Sequence, residues 1–173
     1  MSVENLTRAL RDVPDFPKAG ILFKDITPIL GDPVLFSSAI DLLAERHVGK
    51  KIDKVAAVES RGFIFGVGVA RILGAGFVPV RKKGKLPYET IEVSYELEYG
   101  EATLAMHTDA VEADERVLIV DDLLATGGTA AATVGLVEKL GGIVVALDFL
   151  IELDFLNGRA ALPGYDVYSH IHC

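Results

Sequence analysis

Cysteine is nearly absent from this chain: Cys173 is the only one among 173 residues. Neither a disulfide framework nor a thiolate metal cage can therefore form within one copy, and a reducing cytosol is the expected setting. Long apolar runs are missing too, since none approaches the roughly 20 residues that a membrane-spanning helix needs. The opening stretch carries Glu4, Arg8, Arg11 and Asp12 among short apolar segments, so it lacks the apolar core of a signal peptide. The expectation is a protein neither exported nor embedded in a membrane. Positive charge is in deficit, with 17 Lys and Arg against 25 Asp and Glu and a net charge of -8. That balance repels a nucleic-acid backbone. Arg61 and the cluster Arg81-Lys82-Lys83-Gly84-Lys85 still create local positive potential, which suits a small anionic substrate.

What is present fits one ordinary domain spanning residues 1–173, with half of the residues hydrophobic and 24% charged, enough for a substantial core. No repeat period or low-complexity linker divides it. Runs rich in Val and Ile alternate with segments of helical period, which predicts an α/β fold with a largely parallel central sheet flanked by helices. Asp32-Pro33 opens a helix with apolar residues from Val34 to Leu43, and Val55 to Val58 reads as a buried strand. Helical character resumes after Gly62 and stops at Gly74-Ala75-Gly76, before a strand over Phe77 to Val80. Arg81 to Thr90, with Lys82, Lys83, Lys85, Gly84 and Pro87, reads as a loop, followed to about Thr108 by a hairpin around Tyr99-Gly100-Glu101. Val117 to Val120 is a strand, Thr129 a candidate N-cap, Ala130 to Leu140 a helix, and Ile143 to Ile151 a strand. The first 33 residues hold Pro14, Pro17, Gly20 and Pro28 and read as an irregular arm or hood.

The most informative segment runs Val117-Leu118-Ile119-Val120-Asp121-Asp122-Leu123-Leu124-Ala125-Thr126-Gly127-Gly128-Thr129. A buried strand ends in two carboxylates and a small-residue turn into a helix, at the strand end where α/β folds bind ligands. Gly127 and Gly128 let backbone N–H groups approach an anion, Thr126 and Thr129 add hydroxyls, and the helix N-terminus adds positive potential. Beside a phosphate the aspartates repel unless they hold something else, such as sugar hydroxyls or a divalent cation. Two acids before a glycine turn are explained equally well, as a general pattern, by a solvated strand-to-helix junction. There is no Gly-Lys-Ser/Thr ending of a P-loop, and Gly66-Val67-Gly68-Val69-Ala70-Arg71 lacks the third glycine of a dinucleotide fingerprint.

The thirteen-residue string resembles the phosphoribosyl pyrophosphate signature of type I phosphoribosyltransferases, and in its Val-Asp-Asp-Leu-Leu-Ala-Thr-Gly-Gly-Thr form it is similar to the adenine-specific members. Phe16-Pro17, Gly20 to Pro28, Glu59-Ser60-Arg61-Gly62-Phe63, Arg81 to Pro87 and Tyr95 to Gly100 resemble further family segments in the family's order. The resemblance covers most of the chain up to about Glu152. It implies transfer of a phosphoribosyl group from phosphoribosyl pyrophosphate to adenine, in a cytoplasmic homodimer in which a segment near Arg81 approaches the partner's site.

By the same resemblance, Ala125, Thr126, Gly127, Gly128 and Thr129 cradle the 5-phosphate, while Asp121 and Asp122 hold the ribose hydroxyls directly or through water and Mg²⁺. The pyrophosphate segment falls on Glu59-Ser60-Arg61, where a non-proline cis peptide is expected and Arg61 supplies charge-assisted hydrogen bonds; standing alone, Arg61 would read as an exposed helix-start arginine. Arg81 to Thr90 corresponds to a mobile loop that closes over the reacting centre, with Lys82, Lys83 and Lys85 neutralising pyrophosphate and Arg81 among the substrate-binding residues; by composition alone such a run is more often a solvated loop. Leu22, Phe23 and Lys24 surround adenine, with Phe23 as a stacking face and Leu153 closing the other side, although a Leu-Phe pair is more often ordinary core. Glu98 is the residue expected to transfer a proton or tune charge at the purine N7, with Tyr99 among the substrate-binding residues. His170 and His172 share a face of an extended C-terminus and read as structural or surface residues, and His47 and His107 belong to no recognisable constellation. A transferase for xanthine, guanine or orotate is a competing reading. So is a non-catalytic sensor, which would carry an added DNA-binding segment and a basic surface that this chain lacks.

Overall fold

The computed structural model describes residues 3–96 and 100–173. Its centre is a seven-stranded sheet in the spatial order β5-β6-β4-β3-β7-β8-β9. The strands are β3 (Lys54–Val58), β4 (Gly76–Lys82), β5 (Thr90–Glu96), β6 (Glu101–His107), β7 (Arg116–Leu124), β8 (Ile143–Glu152) and β9 (Val167–His172). Parallel pairing runs from β4 through β3, β7 and β8 to β9, whereas β6 joins β4, and β5 joins β6, in antiparallel fashion. Helices α3 (Pro33–Glu45), α4 (Arg61–Leu73) and α5 (Gly128–Lys139) flank this sheet.

The apolar runs of β3 and β7 explain their central place, because a parallel strand covered on both faces has no polar side. Val55, Leu118 and Val120 face Phe65 and Val69 of α4 and Leu43 of α3. Ala56, Val117 and Ile119 face Leu136 and Val137 of α5, together with Leu104 and Met106 of β6. Each buried Phe, Leu or Val contributes about 1.5–3 kcal/mol. Asp32 starts α3 by accepting hydrogen bonds from the N–H groups of Val34 and Leu35 at 2.9 and 3.0 Å.

Chain direction makes the crevice. From β3 the chain crosses through α4 to β4 on one side, and from β7 it crosses through α5 to β8 on the other. Since β3 and β7 are neighbours, their outgoing loops diverge at a topological switch point, the place where open α/β sheets bind ligands.

Several expected boundaries shift. Strand β7 continues past both aspartates to Leu124, because Asp121, Leu123 and Leu124 still pair with Phe149, Ile151 and Glu152 of β8. Helix α5 is capped by Gly127 in the left-handed region (φ 84°), not by Thr129. Strand β4 takes in Arg81 and Lys82, which pair with Ala105 and Leu104, so the connection spans only 83–89. The first 33 residues are more regular than proline content suggests: α1 (Val3–Ala9), an antiparallel hairpin of β1 (Arg11–Pro14) and β2 (Leu22–Asp25), and α2 (Thr27–Gly31). The hairpin after 90 is as expected.

Candidate active site

The two diverging loops enclose a cavity of about 380 Å³, lined by Glu59, Ser60 and Arg61 on the β3 side and by Asp121, Asp122, Ala125, Thr126, Gly127 and Thr129 on the β7 side. The Glu59-Ser60 peptide is cis, as the resemblance implied. Gly127 is required on two counts. Its positive φ disfavours a side chain, and a Cβ there would strike the backbone of Gly158 and lie 2.8 Å from the Cβ of Ala161. The phosphate-loop candidate is thus buttressed from behind by residues 158–161. Gly128 lies under the ring of Tyr95, whose hydroxyl is hydrogen-bonded to Thr129 Oγ1 at 2.9 Å.

The paired carboxylates sit against this loop. Asp122, with 7% of its side chain exposed, takes Arg61 Nε on Oδ2 at 2.9 Å. Asp121 Oδ1 accepts the N–H of Asp122 at 2.9 Å. Asp121 is partly buried and lines the cavity, and a Cβ on Gly62 would stand 2.6 Å from its Oδ1. Burial raises the Asp121 carboxyl well above the usual carboxylate range, and the neighbouring charge of Asp122 adds to it. Asp122 is raised as well, by burial, with Arg61 opposing the shift. Two adjacent desolvated acids share one guanidinium, an arrangement that a hydroxyl-rich or cationic ligand would relieve.

The basic run is organised around Glu59. Its Oε1 accepts the Lys82 N–H at 2.7 Å, and its Oε2 takes Arg81 Nη2 at 3.0 Å and Lys85 Nζ at 3.4 Å. Burial pushes the Glu59 carboxyl up, but the Lys82 N–H, Arg81 and Lys85 outweigh it and hold the group below its ordinary value. Arg81 Nη1 also reaches the Lys85 carbonyl at 3.0 Å. Lys83 turns away to Glu92 at 2.7 Å. Among the described residues, the Lys82 ammonium enters no ion pair. Arg81, Lys82 and Lys85 adjoin the cavity through Glu59 rather than lining it.

The hood reaches the site at Phe23. The Phe23 ring lies 5.3 Å from the Arg61 guanidinium carbon and meets Phe16 edge-on at 5.2 Å. Leu22 is half-exposed. Lys24 is held by Asp12 at 2.7 Å, its partner across the β1-β2 register, and that hydrogen bond raises the ammonium above its ordinary value. Leu153 follows β8, with its N–H on the Leu124 carbonyl at 3.0 Å. Glu98 and Tyr99 lie outside the described residues.

Sequence reasoning missed the Glu59 hub, the Tyr95–Thr129 bond and a buried cluster. Asp148, fully buried, receives His47 Nε2 on Oδ2 at 2.8 Å and His170 Nε2 on Oδ1 at 2.7 Å. The partners stand 101 and 22 positions from Asp148, so no local spacing betrays them. His170 and His172 point to different acids: His172 Nδ1 meets Asp154 at 2.8 Å.

Comparison with known proteins gives a consistent set of similarities. Residues 30–152 match the family described as the phosphoribosyl transferase domain. The adenine phosphoribosyltransferase of Maridesulfovibrio salexigens is 59% identical over 167 residues, covering 96% of this chain and 98% of that protein. The crystal structure of the Thermoanaerobacter pseudethanolicus adenine phosphoribosyltransferase superposes with a TM-score of 0.97 at 55% identity, over 99% of this chain and 100% of that one. The Saccharomyces cerevisiae enzyme, crystallised with D-2,5-dideoxy-2,5-imino-altritol 1,6-bisphosphate and adenine, gives 0.91 at 45% identity over 98% of both chains.

Proposed function

We infer the reaction from one premise: this chain belongs to the adenine phosphoribosyltransferases, within the phosphoribosyl transferase domain family. It transfers the 5-phosphoribosyl group of phosphoribosyl pyrophosphate to adenine, giving AMP and pyrophosphate, a pentosyl transfer of purine salvage. The observation that carries the site assignment is the shared wall of the cavity, where the glycine loop, the buried Asp122, the partly buried Asp121 and Arg61 converge.

In the proposed mechanism the Ala125–Thr129 loop binds the 5-phosphate with backbone N–H groups and the Thr126 and Thr129 hydroxyls. Asp121 and Asp122 accept hydrogen bonds from the ribose hydroxyls and fix the ring. Ser60 and Arg61 face the leaving pyrophosphate, joined by Arg81, Lys82 and Lys85 from the adjoining turn. The bond from adenine N9 to the anomeric carbon forms as the bond from that carbon to pyrophosphate oxygen breaks. The electron pair leaves with pyrophosphate, and the purine gives up one proton. Charge develops on the sugar and on the leaving group, so positioned charges rather than a covalent nucleophile lower the barrier. Phe23 and Leu22 offer the apolar face for the base, with Leu153 opposite and Lys24 at the edge of the hood, and Tyr99 is assigned to substrate binding. Glu98 is the residue we assign to the purine N7.

The oxygen-only donors at Asp121 and Asp122 suit a hard divalent cation held mainly through substrate and water. Mg²⁺ there would neutralise charge on the pyrophosphate. Residues 1–173 are read as one such domain, with a hood at 1–33 and a closing loop and hairpin at 81–108; the continuous sheet supports this. A homodimer is supported by exposed Ile64 and Val67 on α4, and sedimentation at micromolar concentration tests it. No described helix is long and apolar enough to cross a membrane; with a single cysteine, a cytoplasmic location is proposed.

The deciding assay follows AMP and pyrophosphate formation with adenine, hypoxanthine, guanine, xanthine and orotate in parallel. Turnover confined to adenine is expected. Turnover with another base would remove the hood assignment, and binding without turnover would leave a sensor.

A further inference from the structure

Glu59 lies next to the residues assigned to the leaving group yet carries a negative charge, which by itself repels pyrophosphate. Its carboxylate is 10% exposed and turned to the basic turn. One oxygen fixes the backbone of Lys82; the other gathers Arg81 and Lys85, at 2.7, 3.0 and 3.4 Å respectively. Arg81 passes the constraint on by donating to the Lys85 carbonyl at 3.0 Å, and the Lys85 N–H closes the turn on the Lys82 carbonyl at 3.3 Å. The buried Arg81 Nε has no partner, so Glu59 supplies the one ion pair holding this guanidinium among the described residues.

We propose that Glu59 is a positioning residue: it bolts the 81–85 turn to the Ser60-Arg61 segment, so that the cations of both reach one pyrophosphate together. The proposal rests on the assignment of these segments to the leaving group. Its chemistry is that of a fixed counterion. Ammonium and guanidinium groups on long side chains lose much rotamer freedom when they bind an anion, and a buried carboxylate that holds them beforehand removes part of that cost.

The test compares wild type, Glu59→Gln, Arg81→Lys and the double variant by steady-state kinetics, varying phosphoribosyl pyrophosphate and adenine separately, with melting temperatures measured in parallel. Gln keeps an acceptor for the Lys82 N–H and drops the charge. Each single variant should raise KM for phosphoribosyl pyrophosphate roughly tenfold, as expected for a lost charge-assisted contact, while KM for adenine stays within about twofold. The double variant should be no worse than the worse single one, since both changes break one linkage. An unchanged KM for phosphoribosyl pyrophosphate beside a lower melting temperature would reduce Glu59 to a structural role and overturn the proposal. A lowered KM would overturn it too, making Glu59 a competitor of the substrate. If Glu59→Gln does not fold, Glu59→Asp serves: it keeps the charge but shortens the reach, and the same selective rise in KM is expected. Wild type that fails to turn over adenine would instead sink the underlying assignment.

Discussion

Two clusters of acid are drawn into the interior of this fold and differ in what completes them. Asp148, on β8, spends both oxygens on His47, just beyond α3, and His170 of β9, at 2.8 and 2.7 Å. The Nδ1 of His47 is buried without a partner. Asp121 and Asp122 stand side by side near the end of β7 with Arg61, among the described residues, as the one cation for both, and burial drives both carboxyls upward. The first cluster is finished by the protein; the second is left for a ligand to finish. A buried charge marks a site only when the protein itself declines to satisfy it.

Replacing Asp148 by Ala is the largest break in that contrast. Removing one partner of a buried pair costs about 3–5 kcal/mol, so chemical denaturation should show that loss of stability, while the folded fraction keeps a specific activity within about threefold of wild type. A collapse of KM or kcat with stability intact would mean that the two clusters are not separate. Asp121→Asn should do the reverse. Activity falls about 10²–10³-fold, the usual effect of removing a preorganised polar contact, yet the melting temperature rises, because a desolvated charge beside another charge is gone. The sign follows from the raised folded-state value. Native protein binds that proton more tightly than unfolded chain, so the penalty in wild type grows as pH climbs through the folded value and is absent in the Asn variant.

Gly62→Ala sharpens the same comparison from the neighbouring helix. A methyl group would lie 2.6 Å from Asp121 Oδ1, and overpacking of this kind costs about 1–3 kcal/mol. Because the obstacle is a functional carboxylate, KM for phosphoribosyl pyrophosphate should rise along with the loss of stability. Equal stability and unchanged KM would show that Asp121 has room to move.

Legibility in the sequence followed the range of the interactions. The phosphate loop could be read because one contiguous string encodes strand, acids, glycine turn and helix start, and β3 and α3 could be read because their apolar periods are local. The end of β7 was misplaced at Val120 because pairing with β8, not residue type, carries the strand through Asp121 and Asp122 to Leu124. Gly127 rather than Thr129 caps α5 because Gly158 and Ala161 crowd the turn from behind. The His47–Asp148–His170 cluster was invisible since it joins three distant segments. Glu59 was visible as a residue but not as a hub, because its partners lie 22 to 26 positions away.

Glu59 supplies an intermediate case, an acid that the protein satisfies with groups destined for a substrate. Burial raises its carboxyl, but the Lys82 N–H, Arg81 and Lys85 prevail and lower it. Unfolded chain therefore binds this proton more readily than native protein, and stability from Glu59 is complete above the ordinary glutamate value of about 4.3. As pH falls below that range, through the lowered folded-state value, the contribution disappears. The melting temperature of wild type should accordingly exceed that of Glu59→Gln at neutral pH, and the gap should narrow as the buffer is acidified toward pH about 3. Saturating pyrophosphate separates this acid from Asp148: a ligand bound more tightly by wild type than by Glu59→Gln should widen the Glu59 gap at neutral pH while leaving the destabilisation by Asp148→Ala unchanged. A gap that ignores both pH and pyrophosphate would mean that Glu59 contributes by packing alone, and would place it with the protein-completed cluster.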